Sequence, residues 1–196
     1  MKRYSARSTS LACQVIYKMN KVLLLSIRPV YSEKIFSGEK RVELRRLRPS
    51  VNKGDLVLVY TSSPSCELTG AFVVGKVEAG TPDSLWRKVR RRCGIDKKKY
   101  DAYYQGAAKA YGIYIRHAWR LDHPVKLASI RSRSARFHPP QSYRYFDSAD
   151  LNIFMPSLTI QGLLSAGAAG RSHATGRRGS VASYVRSDRK KECQID

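Results

Sequence analysis

The chain is poor in acidic residues, in cysteine and in long apolar runs. Its 196 residues include 15 Asp and Glu against 37 Lys and Arg, for a formal charge of +22 and a pI near 10.2. No segment reaches the roughly 20 consecutive apolar residues that cross a bilayer, so membrane-spanning helices are not expected. Ser10-Leu11-Ala12-Cys13 loosely resembles a lipoprotein cleavage site. No apolar region of about 7–15 residues precedes it, so a signal peptide is not expected either. The four cysteines (Cys13, Cys66, Cys93, Cys193) form no Cys-x-x-Cys pair, and the four histidines show no ligand spacing with them. This pattern argues against a structural zinc site and points to free thiols in a reducing cytoplasm. Neither a metal nor a cofactor is expected, and no Ser-His-Asp arrangement stands out.

What is present is a surplus of positive charge and enough apolar residues, 42%, to build a core. A surplus this large favours polyanions as partners, RNA, DNA or an anionic membrane surface, with nucleic acid foremost. The alternative is a solvated basic surface with no dedicated partner. Residues 1–20 carry +4 and residues 151–196 carry +4, which leaves +14 on the segment between them. The basic character therefore belongs to the folded part.

Three regions are expected. Residues 1–19 read as an extension outside the fold, because a strand begins directly after Met19. Residues 20–147 read as the domain. Residues 148–196, rich in Gly, Ala, Ser and Arg, read as a basic low-complexity tail with little to bury.

Within the domain, Lys21 to Ile27 is an apolar run that reads as a buried strand. Pro29 suits the first position of a helix running to about Ser37, with Gly38 as its left-handed stop. A second strand is expected over Arg41 to Arg46, and Leu56 to Tyr60 reads as a third. Leu68 to Val77 is a longer strand, with Gly70 and Gly75 as bulge or close-approach points. Thr81-Pro82-Asp83 starts a basic helix with Leu85, Trp86 and Val89 on its apolar face. Asp96 caps a further helix bearing Tyr100, Tyr103 and Tyr104, which read as packing residues. Ala110 to Leu121 alternates as a strand, and Pro124 to Ile130 reads as a short closing strand or turn. Short strands with helices inserted between them predict an α+β fold built on a small β-barrel, the helices covering its openings.

The segment Gly38 to Arg46 carries the strongest functional pattern. Its alternation sets Arg41, Glu43 and Arg45 on one face and Val42 and Leu44 on the other. Such a charged face suits the wall of a polar cleft for an anionic or base-like ligand. Gly38-Glu39-Lys40-Arg41-Val42-Glu43-Leu44-Arg45 resembles the Gly-x-Lys-x-x-x-x-Arg motif of the ASCH (activating signal cointegrator homology) domain, within the PUA-like superfamily. The preceding Leu24 to Pro29 stretch and its helix, the Gly54-Asp55 strand start, and the Pro140 to Tyr145 ending are similar too. The resemblance covers about residues 20–147. It implies a PUA-like pseudobarrel with a cleft beside the motif strand, and a role in RNA-linked biology, in translation or transcription regulation.

Some compact members of that family are amidohydrolases acting on acetylated cytidine, using a lysine and a threonine on this strand. Here Lys40 holds the lysine place and Glu43 the threonine place. A carboxylate does not replace a hydroxyl, so the residues favour a binding module over an enzyme. In the binding reading, for RNA or a nucleotide, Arg28, Lys40 and Arg45 contact phosphate or base edges and Glu43 accepts from an exocyclic amine or orients an arginine. Ser62, Ser63, Gln141, Tyr143 and Arg144 complete the rim, the last two pairing an aromatic ring with a guanidinium. In the enzymatic alternative, a small amidohydrolase, Lys40 is the base or nucleophile and Glu43 its acid/base partner. A third reading is a protein-interaction module of a transcription coregulator. Glu43 and Arg45 also admit a purely structural ion pair.

Overall fold

The structure is a computed structural model, and it describes residues 21–154. The expected N-terminal extension and most of the expected tail lie outside those residues. Six strands form one mixed sheet: β1 (Lys21–Ile27), β2 (Val42–Arg45), β3 (Leu56–Thr61), β4 (Glu67–Gly80), β5 (Ala110–Lys126) and β6 (Tyr143–Asp147). Their order is β2-β5-β4-β3-β1-β6. β1 and β3 run parallel and every other neighbouring pair is antiparallel. The helices are α1 (Pro29–Phe36), α2 (Pro82–Val89), α3 (Lys97–Tyr104) and α4 (Leu127–Arg133), followed by a 3-10 turn at Ser148–Ile153.

The central strands read as continuous apolar runs because both of their faces are covered. In β1, Val22 and Leu24 pack with Leu58, Phe146 and Phe154, while Leu23, Leu25 and Ile27 pack on the opposite face with Val57, Val59 and Ile35. A third cluster lies beneath α2 and α3, where Val42 and Leu44 meet Leu85, Val89, Tyr100 and Tyr104.

Local chemistry sets the helix ends where the sequence places them. Pro29 begins α1 and Gly38, at φ +81°, ends it. The Thr81 hydroxyl accepts from the Ser84 N–H, and an Asp96 carboxylate oxygen accepts from the Lys99 N–H.

The α+β class holds, but the sheet is open in its backbone pairing. Its edges β2 and β6 share no ladder. Arg45 of β2 instead donates to the carbonyl of Ser142, the residue before β6. Three expectations are corrected. β5 runs on to Lys126, past the end predicted at Leu121, and the segment expected to close as a strand or turn becomes α4. Pro124 is tolerated because pairing to β4 jumps from Arg120 to Val125, so its missing N–H falls where no ladder bond is made. The fold also continues beyond Asp147: Leu151 and Phe154 are buried against Phe137 and Phe146. Cys93 is a free thiol, buried beneath α2 and α3.

Gly70 and Gly75 flank the register shifts of β4, as expected. A Cβ on Gly70 would lie 2.3 Å from the Trp119 carbonyl oxygen and 2.6 Å from the Phe36 ring. The backbone there cannot move without unpairing β5. Gly70→Ala is therefore expected to lower unfolding stability by about 1–3 kcal/mol, the usual range for overpacking, measured by denaturant titration. A wild-type midpoint would contradict the close packing.

The Glu78 carboxylate ties α2 to β4. It accepts from Lys88 at 2.5 Å and from Lys76 at 3.0 Å, and these bonds hold its pKa down at about 2. A carboxyl depressed from 4.5 contributes stability above pH 4.5 and loses it as pH falls toward 2. Glu78→Gln is expected to flatten the decline of stability over that acid window, followed by melting temperature against pH. An unchanged acid slope would remove Glu78 from the account.

Candidate functional site

β2 is an edge strand, yet both of its faces are buried. Val42 and Leu44 face α2 and α3, as the alternation predicts, and Glu43 and Arg45 face the other way. The polar face is not an open cleft wall. Lys40, Glu43 and Arg45 are only 3%, 6% and 6% exposed. Arg41, expected on the same face, lies outside the strand, is exposed, and donates from Nε to the Gly38 carbonyl.

The three buried charges converge. Glu43 Oε1 is 2.9 Å from Arg45 Nη2, and Glu43 Oε2 is 3.4 Å from Lys40 Nζ. Lys40 Nζ also donates to the Cys93 carbonyl at 2.8 Å and lies 5.6 Å from the centre of the Tyr31 ring. Arg45 donates through Nη1 to the carbonyl and the hydroxyl of Ser142, at 3.2 and 3.4 Å. Its Nη2 reaches the Ser26 carbonyl at 3.4 Å. Arg45 Nε and Ser26 Oγ are buried without a hydrogen-bond partner. One carboxylate thus serves two cations, and two buried polar atoms of the residues around it are left without a partner.

Tyrosines of α3 bond to the C-terminal end of β2. The hydroxyls of Tyr103 and Tyr104 donate to the carbonyls of Leu44 and Arg45, at 3.3 and 3.2 Å. Burial pushes the pKa of both phenols up, so they stay protonated donors. This fits the packing role expected of them, and Tyr104 also reaches the Tyr111 carbonyl of β5, at the end of the β2–β5 ladder.

The other predicted site residues divide. Ser62 is half-buried, and its N–H donates to the Ile27 carbonyl at the end of β1. Tyr143 is half-buried, and its hydroxyl donates to the Arg48 carbonyl. Arg28, Ser63, Gln141 and Arg144 are exposed, and none bonds to the buried charges. The Arg144 guanidinium lies over the Phe146 ring, 5.0 Å from its centre, on the face of β6 opposite Tyr143. Sequence reasoning missed Ser26 and Ser142. Ser26 was visible as a polar residue within the apolar run that follows Lys21 in β1. Ser142 had no such mark within its polar segment. Among the described residues no group of three or more His, Cys, Asp or Glu side chains could hold a metal ion, and no helix is long and apolar enough to cross a membrane.

The model of the ASCH domain matches residues 25–121. The chain belongs to the ASCH domain family. An ASCH domain-containing ribonuclease from Zymomonas mobilis is 28% identical over 141 residues, covering 72% of this chain and 94% of that protein. The large ribosomal subunit protein uL22 of Ureaplasma parvum is 34% identical over 135 residues, 68% of this chain. The match spans only 42% of that relative's length. The crystal structure of the Zymomonas mobilis ASCH protein superposes with a TM-score of 0.66 at 24% identity, over 71% of this chain and 96% of that one. It confirms the fold.

If Glu43 is what permits Lys40 and Arg45 to be buried, its loss leaves two uncompensated cations. Glu43→Ala is expected to cost about 3–5 kcal/mol. Glu39→Ala, which breaks the exposed Lys34–Glu39 pair, is expected to cost about 1 kcal/mol or less. Parallel denaturant titrations check this. Equal effects would show the buried cluster to be energetically ordinary.

Proposed function

We propose that this ASCH domain binds RNA, with the polar cluster of Lys40, Glu43, Arg45, Ser26 and Ser142 at the base of the recognition surface. The observation that carries the reading is the convergence of two buried cations on a single carboxylate, with Arg45 Nε and Ser26 Oγ left without a hydrogen-bond partner. Such a cluster has spare donor capacity for phosphate or base edges, and Glu43 is placed to orient both cations. Arg28, Ser62, Ser63, Gln141, Tyr143 and Arg144 are proposed as the wider rim, engaging a ligand larger than a single nucleotide. The +14 charge of residues 21–150 supports a polyanionic partner. So does the ribonuclease name of the Zymomonas relative. The ribosomal relative supports a translation-linked setting. The domain limits of the sequence reading, shifted at the C-terminal end to include Phe154, are proposed as the unit that binds.

RNA cleavage is a second reading, favoured by the Lys40–Glu43 contact at 3.4 Å. A lysine and a carboxylate are groups that proton transfer at a ribose hydroxyl would use.

Single-stranded RNA is expected to bind about tenfold or more weakly at 200 mM salt than at 50 mM, as three or more phosphate contacts release counterions. Fluorescence anisotropy across that range checks it, and a flat response would overturn RNA binding. Lys40→Ala leaves the Glu43–Arg45 pair intact, so it is expected to fold. Strand scission by the wild type that disappears in this variant, with RNA still bound, would establish cleavage. Absence of scission in the wild type would leave the domain a binding module.

A further inference from the structure

A cavity of about 480 Å³, open to solvent, lies between α1 and the segment joining α2 to α3. It falls within the usual size range of small-ligand sites. Tyr31, Lys34, Arg90, Arg91, Ile95 and Lys99 are among its walls, together with the carboxylates of Glu39 and Asp96. Both carboxylates are already engaged. Glu39 pairs with Lys34 at 2.6 Å. Asp96 pairs with Lys99 at 3.2 Å and also caps α3. Neither Arg90 nor Arg91 has an ion pair or a side-chain hydrogen bond among the described residues. The cavity is therefore lined by two arginines without a paired carboxylate, whose forked donors suit the oxygens of a phosphate.

The cavity is built next to the buried cluster. Two successive carbonyls separate them. Cys93 O accepts from Lys40 on the cluster side, and Gly94 O accepts from Lys34 on the cavity side. Gly94 has φ +67°, and a Cβ there would come within 2.9 Å of the Lys40 Cβ. Only glycine lets this partition lie so thinly between the two lysines.

We propose that this cavity is a phosphate-binding subsite, in which Arg90 and Arg91 clamp a phosphate group while an adjoining part of the same ligand meets the Lys40 side. The proposal rests on the RNA reading for its macromolecular ligand. The shared chemistry, a phosphate, also fits a free nucleoside monophosphate. Arg90 and Arg91 are exposed, so their replacement leaves the core intact.

The test compares the full chain, Arg90→Ala/Arg91→Ala, and a charge-matched control, Lys53→Ala/Lys109→Ala. Single-stranded RNA binding is measured against salt, and thermal protection is measured with inorganic phosphate and with a nucleoside monophosphate. Removing two phosphate contacts is expected to flatten the log K against log salt slope by about 1.4 for a single strand. Affinity is expected to fall about tenfold more than in the control. If RNA binds the wild type and both double variants lose affinity equally, the subsite is overturned while RNA binding stands. If RNA does not bind at all, the RNA reading fails and the small-anion arm decides. Thermal protection by phosphate or the monophosphate that vanishes in Arg90→Ala/Arg91→Ala supports the subsite for a free nucleotide. Its absence in the wild type overturns the subsite.

Discussion

The Glu43 carboxylate is the constraint on which the rest of this fold depends. It sits almost wholly buried between a lysine and an arginine. Charges taken out of water are tolerated only when paired and hydrogen-bonded. Each cation therefore fixes a different part of the chain. Lys40 holds the segment after α2 through the Cys93 carbonyl. Arg45 holds the end of β1 and the start of β6 through Ser26 and Ser142. The sheet is not closed by a backbone ladder, and its two edge strands are bridged by this one guanidinium. A residue pattern that suggests an exposed ligand surface is thus first a structural fastening.

The fastening and the proposed recognition role are compatible because they would use different parts of the same groups. Glu43 is fully engaged, whereas Arg45 Nε and Ser26 Oγ retain hydrogen-bonding capacity. Burial also lowers the local dielectric, which strengthens any polar contact a ligand makes there. Outside the cluster, the basic face of α2 and its following turn carries Arg87, Lys88, Arg90, Arg91 and Arg92, all exposed. Their charges are screened within about 10 Å at ordinary salt, so they act on a polyanion only near contact. The Cys93 and Gly94 carbonyls, which accept from Lys40 and Lys34, join the end of this basic segment to the cluster side.

Local chemistry was the legible part of the fold. Pro29 and Gly38 bracket α1, Thr81 and Asp96 cap α2 and α3, and Gly70 marks a close approach. Each of these depends on a few neighbouring residues. The length of β5, the helix α4 and the turn at Ser148–Ile153 were not legible, because they depend on distant partners. Pro124 looked like a strand end, but it falls in a gap of the ladder that only β4 creates. Leu151 and Phe154 looked like the start of a polar tail, and their burial depends on Phe137 and Phe146 being positioned to receive them.

The same division applies to the site. The alternation of β2 and the identity of Lys40, Glu43 and Arg45 were determined by the sequence alone, because a strand sends alternate side chains to opposite faces whatever surrounds it. The family membership follows from the same residues in their order. Whether the charged face meets solvent or protein is a property of what packs above it, and only the tertiary structure decided that. It brought Ser26 and Ser142, 116 positions apart in the chain, to one guanidinium, and it turned Arg144 away from it. Sequence periodicity specifies direction from the backbone. Burial and partnership are set by long-range contacts that no local pattern encodes.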